Sequence, residues 1–179
     1  MNAGRPPGGG VFVAVDVHYL PAGGARAAAV VAADMTFGDL LADRTAYVPE
    51  VRPYRPGQFY LRELPPLHVV LDGLQQMRLL VVDGYADLDP AGRPGLGAHA
   101  HAEFGVPVIG VAKTTFRTAT HAVPVLRGED STHPLFVTAA GMPRHDAADM
   151  VRHMAGRHRL PDALRRADAL ARGRPLALD

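Results

Sequence analysis

RLLVVDGY, Arg78 to Tyr85, runs four apolar residues straight into Asp83 and Gly84. VFVAVDVHYL, from Val11, does the same with Asp16. Apolar strands that end on a carboxylate are a means of holding hard oxygen ligands rigidly, which is what a divalent cation beside a phosphate requires. Each aspartate also fits a plainer role at a strand end, since Asp-Gly pairs favour turns. A third acid, Glu63 in FYLRELPPL, is one of only four glutamates in the chain. Alone it would be an ordinary surface residue of a helix, and its role depends on whether it faces the two aspartates.

Two further residues stand out by type. Lysine and arginine together number 19, yet Lys113 is the only lysine. In so arginine-rich a chain, the remaining ammonium marks either chance or a place where a planar guanidinium will not serve. Tyr54 sits between Pro53 and Pro56 in VRPYRPG, a frame that presents an aromatic ring at low entropic cost or packs it as a rigid turn. His99 and His101 are two residues apart on a short predicted helix and do not share a face, which argues against a joint metal site.

The elements that must position these residues follow from the pattern. Three strands open the chain: VFVAVDVHYL, then ARAAAVVAADMTF after a Gly-containing hairpin turn, then roughly Arg44 to Val51. After Gly57 the spacing turns helical, with Leu61, Leu64, Leu67, Val70 and Leu71 on one face and a break or kink expected at Pro65 and Pro66. RLLVVD is the central strand. LGAHAHAEF is a short helix, and PVIGVAKTTF is a buried strand carrying Lys113 at its carboxyl end, where sites gather in open α/β sheets. A broken stretch from Arg117 to Pro134 reads as a hairpin, PLFVTAA as a further strand, and the tail as two helices, the second beginning near Asp162. This order predicts an α/β fold with a mixed, ribonuclease H-like sheet of five or six strands. Its opening strands are antiparallel, and helices flank it.

Composition sets the outer limits. The net charge of +1 gives no overall pull toward nucleic acid, although residues 144 to 174 hold eight arginines against four aspartates. Cysteine is absent, so there is neither a disulfide framework nor a thiolate nucleophile. No apolar run spans a bilayer, and the opening MNAGRPPGGG lacks the apolar segment of a signal peptide. The expectation is a cytoplasmic protein with residues 1–10 disordered and one domain over residues 11–179.

Taken together, the strand VAVDVHY, the loop PYRPG, FYLRELPPL, VVDG, VPVIGVAKT and PLFVTAAG resemble, in order and spacing, endonuclease V, the family that nicks DNA or RNA near deaminated adenine. The resemblance extends from Val11 to about Pro175. It implies a metal-dependent endonuclease that cuts at the second phosphodiester 3′ to deoxyinosine, leaving 5′-phosphate ends, in the repair of deaminated adenine. Asp16, Glu63 and Asp83 would hold Mg²⁺, or Mn²⁺, with Lys113 as the cation on the phosphate side. Tyr54 would be the wedge that fills the gap left by an extruded base. Gly57 and Gly84 would allow close backbone approach to that base, and His99 aligns with the family histidine in the helix before GVAK. The alternatives are an inosine-specific endoribonuclease and an inosine-binding module with reduced or lost catalysis. The chain departs from the family pattern in two places. After the central Asp-Gly it reads DGYADLDPAGRPG, with Asp89 where a histidine precedes proline, and Gly141 is followed by Met142 rather than histidine.

Overall fold

Alternating apolar side chains let one strand serve two cores, and β1 (Val11–Tyr19) shows it: Val11, Val13 and Val15 line one face while Ala14 lines the other. The computed structural model describes residues 9–176, apart from residues 57 and 130. Gly57 and most of the expected disordered N-terminal stretch therefore lie outside the described residues.

β2 (Ala25–Ala32) and β3 (Leu40–Val48) continue from β1 as an antiparallel meander. Then come α1 (Tyr60–Leu71), β4 (Met77–Asp83), α2 (Leu96–Phe104), β5 (Val108–Ala112), β6 (Val123–Val125), β7 (Leu135–Ala140), α3 (Arg144–His153) and α4 (Asp162–Arg172). The sheet has the order β3-β2-β1-β4-β5-β7-β6, with β1, β4 and β5 parallel to one another and β7 antiparallel to β5. Leu80, Val82, Leu67, Val70 and Ala100 belong to the core under α1 and α2; Leu79, Val81, Ile109, Val151 and Leu164 belong to the core under α3 and α4. β2 is covered on both faces, by α1 and by α4. Its alanines at 25, 27, 28, 29 and 32, all fully buried, leave room for the helices to approach.

The mixed α/β architecture agrees with expectation, and three details differ. β3 lies several residues earlier than the predicted Arg44 to Val51, because pairing with β2 sets its register (Ala25 with Val48, Ala32 with Leu40) and its exposed sequence carries little apolar signal. A seventh strand, β6, lies within the stretch read as a hairpin; at three residues it is too short to show a period. α1 runs on through Pro65 and Pro66. Proline lacks the N–H that would close the helical bond but already has helical φ. Leu67, Val70 and Leu71, all buried in the core, hold the helix on the sheet beyond the pair.

Candidate active site

Asp16 and Asp83 are brought side by side by the parallel pairing of β1 with β4, one residue past the paired Val15 and Val82. Each continues the alternate series that faces α3 and α4: Ala14 then Asp16, Val81 then Asp83. Lys113 follows β5 at the same end of the sheet, and its Nζ lies 2.5 Å from Asp83 Oδ2. Burial, then the charge of Asp83, pushes the Asp16 carboxyl up to about 7. Burial pulls the Lys113 ammonium down, but its hydrogen bond and charge pairing with Asp83, with Asp16 and Asp168 behind, leave it raised overall.

Glu63 comes from the opposite layer. It sits in the first turn of α1, is only 6% exposed, and accepts a 2.5 Å hydrogen bond from the Tyr19 hydroxyl. The Arg62 guanidinium stacks 4.0 Å from the centre of the Tyr19 ring. Burial raises the Glu63 carboxyl to about 7; the Tyr19 bond opposes this, while Asp16 and Asp83 add to it. Burial, with the charge of Glu63 close by, raises the Tyr19 phenol in turn.

The three acids thus lie within electrostatic reach of one another at one end of the parallel strands. As they stand, no three acidic or histidine side chains among the described residues form a ready-made cation cage. Asp83 is engaged by Lys113 and Glu63 by Tyr19. The donor set fits a hard divalent cation, since it consists of carboxylate oxygens only. Burial, with the charge of Asp83, raises Asp16, and burial, with the charges of Asp16 and Asp83, raises Glu63, so a cation would relieve their confinement.

The other expected residues fall as follows. Tyr54 is 60% exposed on the loop before α1, with Phe59, also exposed, further along the same segment. His99 stacks on Tyr60 with ring centres 3.5 Å apart and 15° between planes, and burial lowers its pKa. Gly84 has φ +136, which only glycine adopts readily, and a Cβ there would meet no protein atom within 4 Å. Gly110 is the tighter position: a Cβ would come within 2.5 Å of the Ala86 nitrogen and 2.7 Å of the Gly84 oxygen. His145, near the missing family histidine, follows β7, whose Ala140 pairs with Val108 at the start of β5. It therefore emerges at the end of β5 away from Lys113.

Sequence reasoning missed Tyr19 and Asp168. Tyr19 lies three residues past Asp16 and so has opposite strand parity, which sends it to the α1 face. Asp168, on α4, acts on both Asp16 and Lys113 and is held by Arg172 Nε at 2.7 Å. It lies four residues after the buried Leu164, a spacing that marks the inner flank of the helix, but Arg165, Arg166 and Arg172 around it obscure that pattern in the sequence.

Antiparallel opening strands, parallel strands that end on acids, and a last helix closing on those acids define a nuclease of the ribonuclease H-like class. The endonuclease V family model matches residues 6–169. Endonuclease V of Streptomyces avermitilis is 33% identical over 189 residues, covering 94% of this chain and 82% of the relative. That of Streptomyces coelicolor is 34% identical, covering 94% and 81%. The crystal structure of the Streptomyces avermitilis protein superposes with a TM-score of 0.77 over 95% of this chain and 83% of that one, at 34% identity. At 19% identity, Ciona intestinalis endonuclease V in complex with a 24mer DNA containing an inosine followed by a ribo-adenosine shares the fold, with a TM-score of 0.78 over 92% of this chain and 84% of that one. The chain belongs to the endonuclease V family, whose members are metal-dependent nucleases, hydrolases of nucleic acid.

Proposed function

We propose that this protein nicks nucleic acid at the second phosphodiester 3′ to deoxyinosine, with Mg²⁺ or Mn²⁺ held by Asp16 and Asp83 and with Glu63 directly or through water. The observation that carries the reading is the placing of Asp16 and Asp83 at adjacent strand ends beside Lys113, with the buried Glu63 of α1 within reach of both their charges. A divalent cation bound there would supply Lewis-acid polarisation of the phosphodiester and a water of lowered pKa. Tyr19 keeps Glu63 oriented and ionisable by donating to Oε1. Lys113 offsets charge on the phosphoryl oxygens when the strand arrives. Asp168, paired with Arg172, closes the α4 side of the site.

Tyr54 is the group suited to occupy the gap left by an extruded base. Unstacking costs a few kcal/mol, and an exposed ring on a proline-braced loop offsets part of it by stacking in the base's place. Gly84 presents backbone without a side chain beside Asp83, which suits close approach of a flipped hypoxanthine. On this reading residues 11–179 form one nuclease domain, nucleic acid is the partner, and the protein works in the cytoplasm in repair of deaminated adenine. Among the described residues no helix is long and apolar enough to cross a membrane.

The test is cleavage of a deoxyinosine-containing strand with added Mg²⁺ beside an adenosine control. Selective cutting that disappears in Asp83→Ala supports the proposal; equal cutting of both strands, or activity surviving the substitution, refutes it. Matched ribose and deoxyribose substrates distinguish the endoribonuclease reading, because that choice rests on contacts to the 2′-hydroxyl.

A further inference from the structure

We propose that Tyr85 is a positioning residue for the cation on the phosphate side: its phenol clamps the turn that carries Lys113, so that the ammonium swings from a fixed root. The inference rests on the nuclease reading of Lys113. Lys113 is the first residue beyond β5, so no strand pairing holds it. Residues 113–117 are all exposed, and none of residues 113–118 belongs to either hydrophobic core. A segment of this kind opens at little cost unless groups outside it hold it.

Tyr85 supplies that hold. Its hydroxyl donates to the Thr114 carbonyl at 2.7 Å and accepts from the Phe116 N–H at 3.0 Å, so one group grips the turn at two points. Its ring centre lies 5.9 Å from that of Phe116, with 47° between the planes. The backbone beneath the ring is itself fixed. Gly84 N–H donates to Val111 O at 2.9 Å, Ala86 N–H to Thr138 Oγ1 at 2.7 Å, and Gly97 N–H to Tyr85 O at 3.2 Å. Further along, Thr118 Oγ1 donates to Leu88 O and accepts from Arg93 Nη2 at 3.2 Å, which fastens the two loops at a second place. From the other side, Arg159 Nη2 donates to the carbonyls of Lys113 and Pro134. The segment carrying Arg159 is held in turn by the buried Arg127, which donates to Met154 O at 2.7 Å and to His158 O at 3.0 Å.

The reaction makes use of a fixed root. Lys113 Nζ sits on Asp83 Oδ2, so a cation taking that oxygen displaces it, and the ammonium must then reach a phosphoryl oxygen by side-chain torsions alone. With the main chain gripped, that movement ends in one place. With the main chain loose, the charge is spread over many positions and stabilises the transition state less. Tyr85 lies in DGYADLDPAGRPG, one of the two stretches in which the sequence departs from the family pattern, and here that stretch builds the support for Lys113.

Tyr85→Phe keeps the ring and removes the hydroxyl. Because Lys113 is the only lysine, the full-length protein labelled with ¹⁵N-lysine gives one backbone amide signal, that of Lys113. Without added metal, its order parameter should fall from about 0.85, typical of rigid backbone, to below about 0.6 in Tyr85→Phe. On a deoxyinosine-containing strand with saturating Mg²⁺, kcat should fall about tenfold with KM unchanged, and Tyr85→Phe added to Lys113→Ala should lower kcat no further. An order parameter unmoved by Tyr85→Phe would overturn the proposal. So would the same loss of kcat in both backgrounds, since a merely structural role acts whether or not the ammonium is present. A wild-type protein that leaves the strand uncut, with the variant's amide mobile, would overturn the nuclease reading and leave the clamp standing, so the two failures can be told apart.

Discussion

Lys113 Nζ and Asp83 Oδ2 are 2.5 Å apart, which places the only lysine of the chain on the carboxylate expected to bind metal. The ammonium therefore competes with a cation for that oxygen and must move from it when the cation binds. Lys113→Ala should tighten Mn²⁺ binding measured by calorimetry while lowering kcat about 10²-fold, the usual loss when a charge-stabilising donor is removed. Weaker metal binding in this variant would mean that Lys113 supports the metal site rather than competing with it.

Tyr19 donates to Glu63 across the end of β1, and that bond holds down a carboxyl which burial otherwise raises. Tyr19→Phe removes the donor and keeps the ring under Arg62. The pH–rate profile should shift to higher pH on its acidic limb, and stability should fall by about 1–3 kcal/mol for a buried acceptor left unpaired. An unchanged profile with a lowered melting temperature would leave Tyr19 a purely structural role.

The raised carboxyls of Asp16 and Glu63, both up to about 7, fix the sign of a stability effect. Between the ordinary carboxylate range and pH 7 the folded protein binds more protons at these groups than the unfolded chain does. Their contribution therefore destabilises the metal-free protein as pH rises through that window. Metal-free protein should melt at a lower temperature at pH 8 than at pH 5.5. Mg²⁺ should restore more of the loss at pH 8, because only the ionised groups bind it. Glu63→Gln should flatten part of the pH dependence in thermal denaturation monitored by circular dichroism.

Gly110 carries the loop after Asp83 on its backbone. Ala86 N–H donates to the buried Thr138 Oγ1 at 2.7 Å, and a Cβ at position 110 would intrude on Ala86 N, Gly84 O and Thr138 Oγ1 together. Gly110→Ala should cost about 1–3 kcal/mol of stability, as for overpacking, and should lower activity beyond what the stability loss explains by displacing Gly84. Chemical denaturation and kcat measured on the folded fraction separate the two effects.

Much of this site was legible in the chain. Asp16 and Asp83 announced themselves because a buried strand is an apolar run and its end is an abrupt polar residue, and Lys113 because its type occurs once. Glu63 was legible only as a helix glutamate, and its coming within reach of the aspartates' charges depends on α1 packing on the sheet. Strand β6 and the passage of α1 through two prolines were not legible, since in both cases packing outweighs a local signal that is short or unfavourable.

The sequence by itself determined the order of elements, the parallel strand ends that carry acids, and membership of the endonuclease V family, because these are written in periodicity and in residues close along the chain. Only the tertiary structure decided that Tyr19 restrains Glu63, that Asp168 closes on Asp16 and Lys113, and that Tyr85 grips the turn after Lys113. Those pairs lie on elements distant along the chain, and sheet pairing and helix packing brought them together. Charge and burial act through space rather than along the backbone, so their effect on each carboxyl exists only once the layers are assembled.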